Sequence, residues 1–292
     1  MDLIARIADI IIPVFLIVAI GYGYARRRSI DLNSFNRIAL DVLAPLLVYS
    51  ALASRDFVIC EYVPLLIGGT VIILASGLVA WPLAKAFGAQ PRTLVPVVMF
   101  NNCGNMGLPL ALLAFGPAEF GAAVALFSVS NLLHFSLGAR ITSAAARTRD
   151  LLLSPLMIGT LLGFLSAFTD LRPPPVVLSG LKLLGDALLP MMLFALGVRL
   201  TALTRQGMKL GLMGALARPM IGLAIGIPLA WAMGLEGAAR SQLLLFAALP
   251  PAVIQFMLAD RYHQEPETVA ASIMVGNALA VVFVPLALAL GL

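Results

Sequence analysis

The 292-residue chain is 61% hydrophobic and 11% charged, with a mean hydropathy of +1.02, which excludes an ordinary soluble globular domain. Its net charge of +5 does not point to nucleic acid, because the arginines and lysines stand in short clusters at the ends of apolar runs. Cys60 and Cys103 supply neither a disulfide framework nor metal-ligand spacing, so no metal and no cofactor is expected.

Apolar runs of roughly 18–25 residues each suffice to cross the hydrocarbon layer. The chain divides into such runs at 9–25, 35–53, 62–87, 92–114, 118–141, 153–169, 176–199, 208–233, 238–259 and 267–290. The reading is therefore an all-α polytopic membrane protein of ten transmembrane helices. Asp2, Arg6 and Asp9 precede the first run and Arg26-Arg27-Arg28 follow it, the reverse of a signal peptide's charge order, so a retained first span is expected. The connections are short, the longest being Thr142–Leu152. Thirteen basic residues fall after odd-numbered spans and five on the opposite side. Cytoplasmic loops carry the positive excess, which predicts both termini outside and fits a bacterial cytoplasmic (inner) membrane.

The fourth run contains Asn101-Asn102-Cys103-Gly104-Asn105-Met106-Gly107-Leu108-Pro109. Three amides, two glycines and a proline would interrupt a span, and lipid cannot hydrogen-bond the backbone groups so released. Residues 92–114 thus read as a discontinuous helix with a binding site at its unwound middle. A plain kinked packing helix is the alternative. In the ninth run, Pro250-Pro251 interrupts the apolar pattern in the same way.

These two breaks belong to a wider internal match. Asp41 and Pro45 fall on Asp186 and Pro190 at an offset of 145, and Asn131 falls on Asn277 at an offset of 146. Five spans per half make this a 5+5 inverted repeat, residues 1–146 and 147–292, with discontinuous helices 4 and 9 crossing at the repeat interface. The sodium/proton antiporters of the NhaA type and the bile-acid symporters share that plan.

Pro13-Val14-Phe15 through Gly21-Tyr22 with the following arginines, Pro45, the Asn101 to Pro109 stretch, and Pro190 followed by Gly197 resemble the auxin efflux carrier family. That family includes plant PIN proteins and bacterial malonate and malate permeases. The resemblance covers nearly the whole chain and is most specific in the asparagine-glycine-proline stretch. It implies a dimerising scaffold of spans 1, 2, 6 and 7, through which a homodimer forms, and a moving transport domain of spans 3–5 and 8–10. The long hydrophilic loop that many plant members carry between spans five and six is not in this sequence.

A carboxylate entering the bilayer must exchange its water shell for fixed donors, and half-helix N-termini supply them without a buried formal charge. The expected substrate-binding set is Asn101, Asn102, Gly104, Asn105 and Pro109 from span four, with Pro250, Pro251 and Gln255 from span nine. Asn131 and Asn277 would flank the crossing, or serve as interhelical glue. Arg218 lies inside span eight, where it would pair with a substrate carboxylate, cap a broken helix or snorkel. Asp41 and Asp186 read as hydrogen-bonding the proline-freed backbone, with a coupling role as the alternative. His134 is a candidate proton carrier or a hydrogen-bonded structural residue. Met191, Met192 and Phe194 read as packing and dimer-interface residues.

The function that follows is a secondary transporter of small organic anions, mono- or dicarboxylates or auxin-like acids, working by alternating access of the elevator or rocking kind. A coupling ion, H+ or Na+, is left open. No GxxxxGK loop is present for direct ATP drive. A cation/proton antiporter on a similar fold is the runner-up, although spans five and ten offer Asn131 and Asn277 where ionised carboxylates would be needed. A non-transporting sensor or scaffold is a further alternative. No serine-histidine, metal-ligand or paired-aspartate constellation suggests an enzyme.

Overall fold

The computed structural model describes residues 3–54, 57–146, 152–169, 171–201 and 207–291. Arg55, Arg147, Arg149 and Arg205, used above to orient the chain, lie outside them, as does much of the 142–152 connection. The described residues are almost all helical, with no strand among them. Among the described residues, seven helices are long and apolar enough to cross a membrane: α1 (Leu3–Ala25), α2 (residues 32–52), α3 (Ile59–Ala86), α5 (Phe120–Thr142), α7 (Pro175–Leu200), α8 (Met208–Ala232) and α10 (Pro266–Gly291). The others are shorter pieces. They are α4a (Pro91–Met99), α4b (Cys103–Phe115), α6 (Pro155–Thr169), α9a (Gly237–Ala248) and α9b (Val253–Arg261).

Helix α1 begins at Leu3, ahead of the start expected at residue 9, because Asp9 lies on an exposed face where its charge does not interrupt the coil. Prolines account for several irregularities. A proline removes one backbone donor and pushes against the carbonyl four residues back. In α2 the strain is absorbed by a π turn, Ala39–Leu43, in which the Ala44 N–H reaches back to the Ala39 carbonyl just before Pro45. A second π turn, Cys103–Gly107, sets the Leu108 N–H on the Cys103 carbonyl and places Pro109 in the first turn of the straight part of α4b. Pro109 was expected to break the span. The helical winding is interrupted instead at residues 100–102, and the π turn ahead of Pro109 accommodates its ring and missing donor.

Packing divides the helices into two groups. Helix α1 runs along α7, where Gly21 and Gly197 let the backbones touch: a Cβ on Gly21 would strike the Phe194 carbonyl, and one on Gly197 the Val18 carbonyl. Helix α2 lies between α6 and the first half of α7, with Gly159 against Pro45 and Gly185 against Leu47. In the second group α8 packs along α10, through Gly211 and Gly214 against Ala271 and Ser272, and α3 packs against α4a, α5 and α8.

Candidate functional site

The two interrupted helices meet at their breaks. The Asn102 N–H donates to the Pro250 carbonyl at 2.8 Å and the Ala252 N–H to the Phe100 carbonyl at 3.0 Å, forming an isolated antiparallel bridge between Asn101 and Pro251. Unwound backbone inside an apolar medium must find partners in the protein, and here each break satisfies the other. Pro250 and Pro251 ease this task because they carry no N–H to satisfy. Gly276 of α10 clears space for them, since a Cβ there would lie 2.5 Å from Pro251 Cδ.

Side chains complete the junction. Asn101 Nδ2 donates to the Phe246 carbonyl at 2.5 Å and Arg218 Nη1 to the Ala247 carbonyl at 3.3 Å, so both take up carbonyls at the end of α9a. Asn102 Nδ2 donates to Asn277 Oδ1 at 2.9 Å, and Asn277 Nδ2 donates to the Ile273 carbonyl at 2.7 Å. His134 Nε2 and Gln255 Oε1 are 3.0 Å apart, and Gln255 Nε2 donates to Thr142 Oγ1 at 3.0 Å. The His134 ring stacks on Phe100, with centroids 4.1 Å apart.

Beside the junction lies a cavity of about 40 Å³, space for roughly three water molecules. Asn101, Asn102, Gly104, Asn105, Asn131 and His134 line it from one side, and Leu40, Ala44, Leu188 and Met192 close it from α2 and α7. Two helix N-termini border it. The N–H groups of Met106 and Gly107 both turn to the Asn102 carbonyl, and those of Cys103, Gly104 and Asn105 have no backbone acceptor among the described residues. Val253 and Ile254 at the start of α9b are in the same condition, and both line the cavity. Asn131 Nδ2 is buried without a partner among the described residues. Gly104 packs so closely on Phe127 that a Cβ would come within 2.8 Å of its ring. The cavity therefore has uncharged donors at the positive ends of two helices on one side and an apolar wall on the other, an arrangement suited to an oxyanion.

Other expected residues fall elsewhere. Gln255 and Asn277 do not line the cavity but hold His134 and Asn102, which do. Pro250 and Pro251 shape the junction, and Pro109 is buried away from the cavity. Arg218 is fully buried behind the junction and does not line the cavity either.

Neither aspartate is hydrogen-bonded to the backbone freed by the following proline among the described residues. Asp41 is exposed on the π turn of α2, and Asp186 forms an exposed ion pair with Lys182 at 2.7 Å. A proline frees a carbonyl, which needs a donor, and an ionised carboxylate only accepts. Lys182 and Asp186 border a separate, larger cleft of about 670 Å³ between the ends of α2, α3, α5 and α7. Met192 lies in the cavity wall, while Phe194 packs against Tyr24 of α1 at 5.9 Å.

Sequence reasoning missed Ala252, Val253 and Ile254, which contribute backbone N–H groups and so leave no side-chain signature. The available signal was their position directly after Pro250-Pro251, where a restarting helix must expose its first donors.

The profile of the membrane transport protein family, Mem_trans, matches residues 7–142 and 139–288. The chain is 23% identical to an uncharacterized transporter of Methanocaldococcus jannaschii, over 95% of this chain and 96% of that protein. It is 25% identical to a Rhizobium meliloti protein named "Putative malonate transporter", over 95% of this chain and 93% of the other. It is also 27% identical to auxin efflux carrier component 8 of Arabidopsis thaliana, over 45% of this chain and 38% of the plant protein. The chain belongs to the Mem_trans family of membrane transport proteins, the family of the auxin efflux carriers, and is an integral membrane protein.

Proposed function

We propose that this protein is a secondary carrier of small organic anions, mono- or dicarboxylates, held at the crossing of α4 and α9. The observation that carries the reading is the convergence of two half-helix N-termini, at Cys103–Asn105 and at Val253–Ile254, on one asparagine-lined cavity. A carboxylate seated there would accept from fixed N–H groups and from Asn131 Nδ2, which has no other partner. The relative named for malonate transport adds a dicarboxylate to the candidates.

In this reading ten segments cross the membrane as two inverted halves of five, with both termini outside a bacterial cytoplasmic membrane. The group α1, α2, α6 and α7 acts as scaffold and dimer surface, and α3–α5 with α8–α10 move against it. The wall formed by Leu40, Ala44, Leu188 and Met192 supports that division, since the cavity lies between the two packing groups. Movement of one group past the other would open the cavity to one side at a time. The membrane potential favours anion exit, and uptake would draw on a proton or sodium gradient.

Purified protein in liposomes should take up labelled malonate, malate or indole-acetate saturably under an imposed potential or ion gradient. Absence of uptake of all three under every gradient would overturn the reading. A sodium- or potassium-driven pH change in vesicles free of organic anion would replace it with cation/proton exchange.

A further inference from the structure

Arg218 stands in the middle of α8 with no exposed surface, and no acidic side chain pairs with it among the described residues. Its Nη1 bonds the Ala247 carbonyl, while Nε and Nη2 have no partner among the described residues. A buried guanidinium without a counter-ion is costly to hold, so its position must matter to what surrounds it. Ala247 is the penultimate residue of α9a. The last carbonyls of a helix have no intrahelical donor and carry the negative end of its dipole.

At a crossing of two broken helices, two N-terminal and two C-terminal ends come together. Left alone, the negative ends would cancel much of the positive potential that the N-termini of α4b and α9b direct into the cavity. The end of α9a is covered twice, by Arg218 on the Ala247 carbonyl and by Asn101 on the Phe246 carbonyl. At the end of α4a the Phe100 carbonyl accepts from the Ala252 N–H. Helix α3, which packs on α4a and α8, carries no basic residue in its buried middle; its Lys85 lies in the last turn. The charge is therefore one-sided, and it stands next to the cavity: the Ala247 carbonyl it holds follows directly on the Phe246 carbonyl held by Asn101, which lines the cavity wall.

We propose that Arg218 is a specificity-determining residue that selects the charge of the transported anion without touching it. Its cation neutralises the C-terminal end of α9a and leaves the crossing net positive, so that dianions bind better than monoanions of the same shape. This rests on the anion-carrier reading above.

The interaction of a fixed charge with a ligand scales with the ligand's charge, whereas a purely structural role weakens all ligands alike. The test measures binding of malonate, succinate and malate, each beside its monoamide, by thermal shift and isothermal titration at pH 8. Arg218→Gln should weaken the monoamides about tenfold and the dianions about a hundredfold. Arg218→Met, which replaces the buried charge by a stem of similar length, should give the same pattern and guards against misfolding of the glutamine variant. Arg218→Lys should keep both affinities within about threefold of the original, because charge and not fork geometry is what the site uses. Equal losses for monoamide and dianion, or a lysine variant as impaired as the neutral ones, would overturn the proposal while leaving the carrier reading intact. Failure of the unmodified protein to bind any member of the panel would overturn the carrier reading and this proposal with it.

Discussion

The side-chain amide of Asn102 donates to Asn277 Oδ1 at 2.9 Å, joining the break in α4 to the middle of α10. Both residues are buried, so the bond also fixes Asn277, whose own amide is committed to the Ile273 carbonyl. Asn102→Ala would leave Asn277 Oδ1 buried without a donor, at a cost of about 1–3 kcal/mol. The melting temperature in detergent should fall, and the double variant Asn102→Ala/Asn277→Ala should lose less than the two single losses added together.

Asn131 should behave in the opposite way. Its Nδ2 is buried and unpartnered, so Asn131→Ala removes an unsatisfied donor and should leave the melting temperature within about 2 °C of the original. The additional stabilisation produced by a bound dicarboxylate should nevertheless fall, by about 1 kcal/mol of binding. An unchanged ligand-dependent shift would remove Asn131 from the site.

Gly276→Ala tests the junction from behind. The added Cβ would sit 2.5 Å from Pro251 Cδ and 3.3 Å from Pro250 Cβ, in rings that have no flexible end to give way. Overpacking of this kind costs about 1–3 kcal/mol. Transport should be lost even where the variant folds, as measured by uptake into liposomes against melting temperature.

The Lys182–Asp186 pair offers a control. Its side chains are 61% and 42% exposed, which places it among surface pairs of small net effect. Asp186→Asn should leave the melting temperature essentially unmoved. A large loss would show that the aspartate has a structural partner beyond Lys182.

Gln255 occupies the intermediate case. It bridges His134 to Thr142 without lining the cavity. Gln255→Leu should lower stability by about 1–3 kcal/mol through the polar groups left buried, and Gln255→Glu should not restore both bonds, because an ionised carboxylate has no donor for Thr142. Thermal melts of the two variants decide the point.

The helices and the two breaks were legible in the sequence because a bilayer admits few ways to satisfy a backbone. Long apolar runs mark helices, and a cluster such as Asn101–Pro109 or Pro250-Pro251 marks an interruption that protein must cover. The exact point of interruption was not legible. Asparagine, glycine and proline all weaken a helix, yet only residues 100–102 leave it, since the cysteine-to-glycine segment winds into a π turn and Pro109 opens a new helical stretch. The asparagines of the cavity could be named from their type, whereas Val253 and Ile254 could not, because their donors are main-chain.

Sequence alone thus determined that this is a membrane-embedded helical protein with two weakened spans and amides near them, since composition and local backbone chemistry are properties of consecutive residues. Only the tertiary structure decided what those amides and charges face. It put Asn102 on Asn277 and Arg218 on the end of α9a. Such partners lie on different helices or on a face whose surroundings depend on packing, and a charge or a hydrogen-bond donor acquires its role from the group opposite it.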